Sequence, residues 1–147
     1  MLGRGGAYGA TVPTLRPTLA SPVVRTHFDD DHAWTALQEA ICTPSPEGFL
    51  GSVDVVEDRE FAGLDAPAVV AAVPETADHA VMFLADRTTL TSPELPLLVV
   101  SLIGAPGQTF RVVPTAVWAV ENNLSLANLG WEDFVRHLDG DGGVRGF

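Results

Sequence analysis

Residues 79–87, HAVMFLADR, carry six apolar side chains in succession, Ala80 to Ala85, between polar ends. Successive residues of a strand point to opposite faces of the sheet, so an unbroken apolar run leaves neither face suited to water. The run is far short of the roughly 18 apolar residues of a membrane span. It therefore requires a sheet covered by other structure on both sides, and that requirement governs how the neighbouring segments are read.

Two β-branched segments precede it, each followed by a helical pattern. PVVRTHF (residues 22–28) leads directly into DDDHAWTALQEAIC, where Ala33, Trp34, Leu37 and Ile41 recur at helical spacing and Asp29 or Asp30 is placed to cap the first turn. SVDVVED (52–58) alternates as a strand, and LDAPAVVAAVP (64–74) has Asp65 as a cap, Pro67 in the first turn and Pro74 as a stop. Three strands separated by helices imply parallel crossovers. The pattern then changes, because LPLLVVSLI and TFRVVP are separated only by GAPGQ, a hairpin signal. TAVWAVENN, with Thr115 as its cap, and WEDFVRHL supply two more helical stripes, and VRGF a last short strand. The expected fold is α+β or α/β: a single mixed sheet of about five to six strands, parallel in its first half, with an antiparallel hairpin in its second, packed by about four helices. Residues 19–147 form that one domain, and residues 1–18 read as an arm that is flexible or ordered from outside.

At 147 residues with 46% hydrophobic content, the chain has material for one core. Its net charge is -11, and all eight basic residues are arginines, scattered from Arg4 to Arg145 among nineteen acids. Phosphate recognition needs clustered cations, so nucleic acid is a poor partner and a basic protein surface a good one. The single Cys42 excludes an internal disulfide, sits where the first helix should end, and reads as a buried small hydrophobe. Glycines 3, 5, 6 and 9 interrupt the opening, which does not read as a signal peptide; a cytoplasmic protein without a membrane span is expected.

Three polar groupings are candidate sites. The only asparagines, Asn122, Asn123 and Asn128, fall within ENNLSLAN. Asparagine tolerates the left-handed backbone that ends helices, so these residues are expected to finish one helix and organise the turn before the next. The functional alternative is that Trp118, Glu121 and the amides face a ligand. In LADRTTLTSPE, Asp86 and Arg87 follow the buried strand, at the sheet end where open α/β folds bind ligands. The bland reading there is an Asp–Arg pair anchoring a long polar loop; the sharper one is a small enzyme with Asp86, Arg87 and Glu121 in one cleft. THFDDDH resembles the metal-binding segment of the metallo-β-lactamase superfamily at His27, Asp31 and His32, with Asp29 at that family's second histidine. A mononuclear metal there is a further alternative to a solvated first turn. No phosphate loop, G-x-S-x-G elbow or C-x-x-C occurs, and no cofactor is expected.

Across VVRTHFDDDHAW, FLADRTTLTSPELPLLVVSL, TFRVVPTAVWAVENNLSLANLGWEDF and GVRGF, the chain resembles a family of short actinobacterial proteins known only as a domain of unknown function. The likeness covers residues 19–147. It implies Asp in place of His27, a non-ligand in place of His32, and Asp in place of Gly130, and it transfers no activity. The function expected from the residues is that of a non-catalytic, immunity-like or regulatory protein whose acidic surface, with Asp29, Asp30, Glu121 and Asn123 foremost, binds a basic protein. Oligomeric state stays open.

Overall fold

The computed structural model describes residues 13–136, 138, 140 and 142–144. Among them is one mixed six-stranded sheet in the order β2-β1-β3-β4-β5-β6. Its strands are β1 (Ser21–Arg25), β2 (Val53–Val56), β3 (Val81–Ala85), β4 (Leu97–Ser101), β5 (Thr109–Val112) and β6 (Gly143–Val144). β1 lies parallel to both β2 and β3, β4 is antiparallel to β3 and β5, and β6 returns parallel to β5. The α+β class, the parallel first half and the hairpin follow the pattern read from the sequence.

Five helices accompany the sheet among the described residues: α1 (Asp31–Ile41), α2 (Ala66–Ala71), α3 (Arg87–Thr91), α4 (Val117–Ser125) and α5 (Trp131–Val135). The chain steps from β1 outward to β2, then back across β1 to β3. Right-handed crossovers in opposite directions must place their helices on opposite faces. Accordingly Trp34, Leu37 and Ile41 of α1 join one core with Val23 and Phe83, while Val69 of α2 joins another with Val24, Met82 and Leu84. β3 contributes alternate side chains to both cores, which is why its run had to be apolar throughout. The first core also takes Leu90 of α3, Val117 and Val120 of α4, and Trp131 and Phe134 of α5.

Local sequence explains the helix starts. The carboxylates of Asp30 and Asp65 accept from the backbone amides of Ala33 and Ala68, serving donors that the first turn of a helix leaves without an internal partner. The segment expected to be a long polar loop after Asp86 is instead α3. Asp86 accepts from the Thr89 amide, and the Thr89 hydroxyl accepts from the Asp86 amide, a reciprocal cap that starts a helix from a run of threonines. Thr115 is not a cap: Pro114–Ala116 is a 3-10 turn that runs into α4 with no side-chain cap bond. Cys42 ends α1 as placed, but it is exposed rather than buried, because it falls outside the buried stripe of Trp34, Leu37 and Ile41.

Residues 1–12 of the expected arm lie outside the described residues, whereas 13–18 are described and Leu15 is packed against the domain. Leu15 is buried with Val24, Val56 and Phe61, its amide donates to the Ala72 carbonyl, and Arg16 reaches the Val55 carbonyl on edge strand β2.

Candidate functional site

In an open sheet, ligands bind outside the carboxyl ends of two neighbouring strands whose onward connections diverge. Here those strands are β1 and β3. The chain crosses over these strand ends. The Thr26 amide donates to the Ala85 carbonyl, and the loop after β2 crosses over so that the Gly63 amide donates to the Thr26 carbonyl at 2.8 Å. Gly63 has φ +77°, a conformation that suits glycine at such a crossing.

Arg25, the last residue of β1, is buried at this end with its side chain 1% exposed. It donates to the His27 carbonyl at 2.8 Å, to Asp31 at 2.8 Å and to Glu57 at 3.2 Å. Its guanidinium lies over the Phe28 and Trp34 rings, and Trp34 Nε1 donates to the other oxygen of Glu57. A buried cation is thus neutralised by two carboxylates that are themselves 78% and 53% exposed. Around them stand Asp29, Asp30, Asp58, Glu60 and Asp65, all exposed, with Arg59 the further cation, set against Phe28. Adjacent parallel strands deliver both acidic loops to one end of the sheet, so this acidic rim follows from topology.

Asp86 stands at the same end, after β3, but Arg87 is not its partner. Arg111 of β5 donates to both carboxylate oxygens, at 2.8 and 2.9 Å, and Thr89 supplies an amide and a hydroxyl. Burial pushes the Asp86 carboxyl up, but the hydrogen bonds from Arg111 and Thr89 together with the Arg111 charge outweigh it, and the pKa falls below its ordinary 3.8. A carboxylate held ionised, with both oxygens engaged, is a poor proton acceptor. A cleft of about 390 Å³ lies beyond Arg111, lined by Thr88, Ser92, Glu94 and Gly143 among others.

Glu121 lies at the opposite end. Its carboxylate accepts from the Ser21 hydroxyl at the start of β1, from the Ser52 amide just before β2 and from the Ser125 hydroxyl. A five-residue strand, about 16 Å long, separates the two ends, so the cleft imagined around Asp86, Arg87 and Glu121 does not form. The asparagines are also corrected in part. α4 runs past Asn122 and Asn123 to Ser125, with the Asn123 side-chain Nδ2 donating to the Ala119 carbonyl inside the helix. The left-handed residue after α4 is Ala127, φ +58°, and not an asparagine. Asn128 contributes a backbone amide to the Asn123 carbonyl, and the cap of α5 is made by Asp133, which accepts from the Gly130 amide. Trp118 stacks on Phe49 with ring centroids 4.7 Å apart, on a patch away from Asp86 and Arg87.

Asp31 is turned to Arg25, and among the described residues no group of three His, Cys, Asp or Glu side chains could hold an ion. Among them too, no helix is long and apolar enough to cross a membrane. Glu121 was a candidate from the sequence, but its burial was not expected, and the Arg111 partner of Asp86 was not read from the sequence at all; an acid in the helical stripe between Val120 and Leu124 was the available signal for the burial.

No curated protein matches the chain in sequence. A family model described as a domain of unknown function, DUF6924, matches residues 20–147. With nearly the whole domain inside that match, the chain belongs to the DUF6924 family.

Proposed function

We propose that this chain is a non-catalytic binding protein, immunity-like or regulatory in role and acting in the cytoplasm, whose acidic end meets a basic protein surface. The observation that carries the reading is the rim at the carboxyl ends of β1 and β2. Asp29, Asp30, Asp31, Glu57, Asp58, Glu60 and Asp65 are all exposed there, against one buried and one exposed arginine. Such a field steers a basic partner and raises its rate of encounter. An exposed cysteine with no disulfide partner accords with a reducing compartment. Asp86, the acid nearest the cleft at that end, is engaged on both oxygens by Arg111, which disfavours it as a general base.

The test immobilises the protein and a variant carrying Asp29→Asn and Glu60→Gln, neither of which caps a helix or meets Arg25. Both are exposed to extract of the native host at low and at high ionic strength. A basic protein should be retained at low salt, released at high salt and poorly held by the variant. Retention indifferent to both salt and variant, or no partner at low salt, refutes the electrostatic account.

A further inference from the structure

The described residues bury two ionisable side chains, Arg25 and Glu121. Arg25 is neutralised by two carboxylates, whereas Glu121, 5% exposed, has only neutral donors: two serine hydroxyls and one amide. Taking an ionised carboxylate out of water without a counter-charge is costly, and neutral hydrogen bonds offset only part of that. Glu121 does not sit in a closed core. It forms part of the wall of a cleft of about 380 Å³, within the size range of small-ligand sites, on the opposite end of the sheet from the acidic rim.

Two further features of the cleft define what would complete it. Asp78, an exposed second acid, lies on its wall, and Ser125, which donates to Glu121, keeps its own acceptor lone pairs. Leu19, fully exposed, and Ile103, 60% exposed, stand on the same wall as large apolar side chains that the fold leaves to water. An anionic floor under an apolar lip matches a cation carried on a hydrocarbon stem. The three donors to Glu121 already engage both of its oxygens, which leaves no open edge for the two-pronged fork of a guanidinium. A compact ammonium with rotatable donors needs only one remaining lone pair.

We infer that the cleft between Glu121, Asp78, Leu19 and Ile103 is a binding site for an alkyl primary ammonium, carried either by a free amine or by a lysine side chain. The ammonium sits on Glu121 and supplies the missing counter-charge, and the stem lies across Leu19 and Ile103. The site is separate from the acidic rim, and neither reading depends on the other.

The probe is n-pentylammonium chloride, followed by amide NMR shifts of the full chain, with 1-pentanol as the uncharged match and sodium chloride as the salt control. The expected result is saturable shifts around Glu121 and Ile103, with a Kd on the order of 1 mM. Binding should weaken by about tenfold or more for 1-pentanol and for Glu121→Gln, and to a smaller extent for Ile103→Ser. Glu121→Gln keeps the side-chain shape, and both serine hydroxyls can reverse from donor to acceptor to hold it. Should that variant fail to fold, the comparison of pentylammonium with pentanol on the native chain and on Ile103→Ser decides the matter. Equal binding of the amine and the alcohol, unsaturable shifts, or undiminished binding by a folded Glu121→Gln overturns the site. A capped Gly-Lys-Gly peptide, added in parallel, distinguishes the sources: binding assigns the site to a lysine side chain, and its failure beside a binding amine assigns the site to free amines.

Discussion

Replacing Arg25 by methionine tests what joins the first strand to the acidic loops. The stem of the side chain is largely kept, so the loss is confined to the guanidinium. Its two ion pairs reach carboxylates whose side chains are 78% and 53% exposed; water replaces those contacts, and each contributes about 0–1 kcal/mol. The bond to the His27 carbonyl contributes about 1 kcal/mol, and the position over the Phe28 and Trp34 rings about 1 kcal/mol more. The total is a destabilisation of about 2–4 kcal/mol, which for a chain of this size lowers Tm by roughly 6–12 °C. Asp31→Asn should cost less than about 1 kcal/mol, because it removes only an exposed partner while Glu57 remains. Urea titration monitored by far-UV circular dichroism, with thermal melts in parallel, measures both. A cost below about 1 kcal/mol for Arg25→Met, or costs in the reverse order, would refute the view that the buried cation, and not its exposed partners, holds this end together.

Asp86 and Ala127 supply two further predictions. Because the folded pKa of Asp86 lies below its ordinary 3.8, its contribution is fully present above the unfolded value and is lost as pH falls through the folded one. Asp86→Asn should therefore cost about 1–2 kcal/mol at neutral pH, with the gap to the native chain narrowing below about pH 4; urea midpoints that keep the same gap at both pH values count against the ion-pair account. Ala127→Gly relieves a left-handed alanine at φ +58° and should stabilise the chain by about 0.5–1 kcal/mol, read from the same denaturation curves. A loss of stability there would mean that the alanine methyl makes a contact worth more than the strain.

Much of the fold was legible because its signals are local. The β3 run admits only a doubly covered strand, Asp30 and Asp65 sit immediately before helical stripes, and GAPGQ is too short to connect anything but adjacent antiparallel strands. α3 was missed because its start depends on a reciprocal bond between Asp86 and Thr89, which a threonine-rich composition masks. The pairing of Asp86 was misjudged for a different reason. Adjacency in sequence pointed to Arg87, but register places Leu84, Leu98 and Arg111 in one row across three strands, and the carboxylate beyond Leu84 meets the arginine at the row's far end.

The amino-acid pattern by itself determined the strands, most helices and the acidic character of the chain, because periodicity, caps and charge are properties of neighbouring residues. The tertiary structure alone decided which charges are buried and with whom. Arg25 is buried at the carboxyl end of the sheet between exposed carboxylates, and Glu121 stands a strand's length away beneath an apolar lip. Those assignments depend on crossover direction and strand register, which bring together residues as far apart in sequence as Ser21 and Glu121.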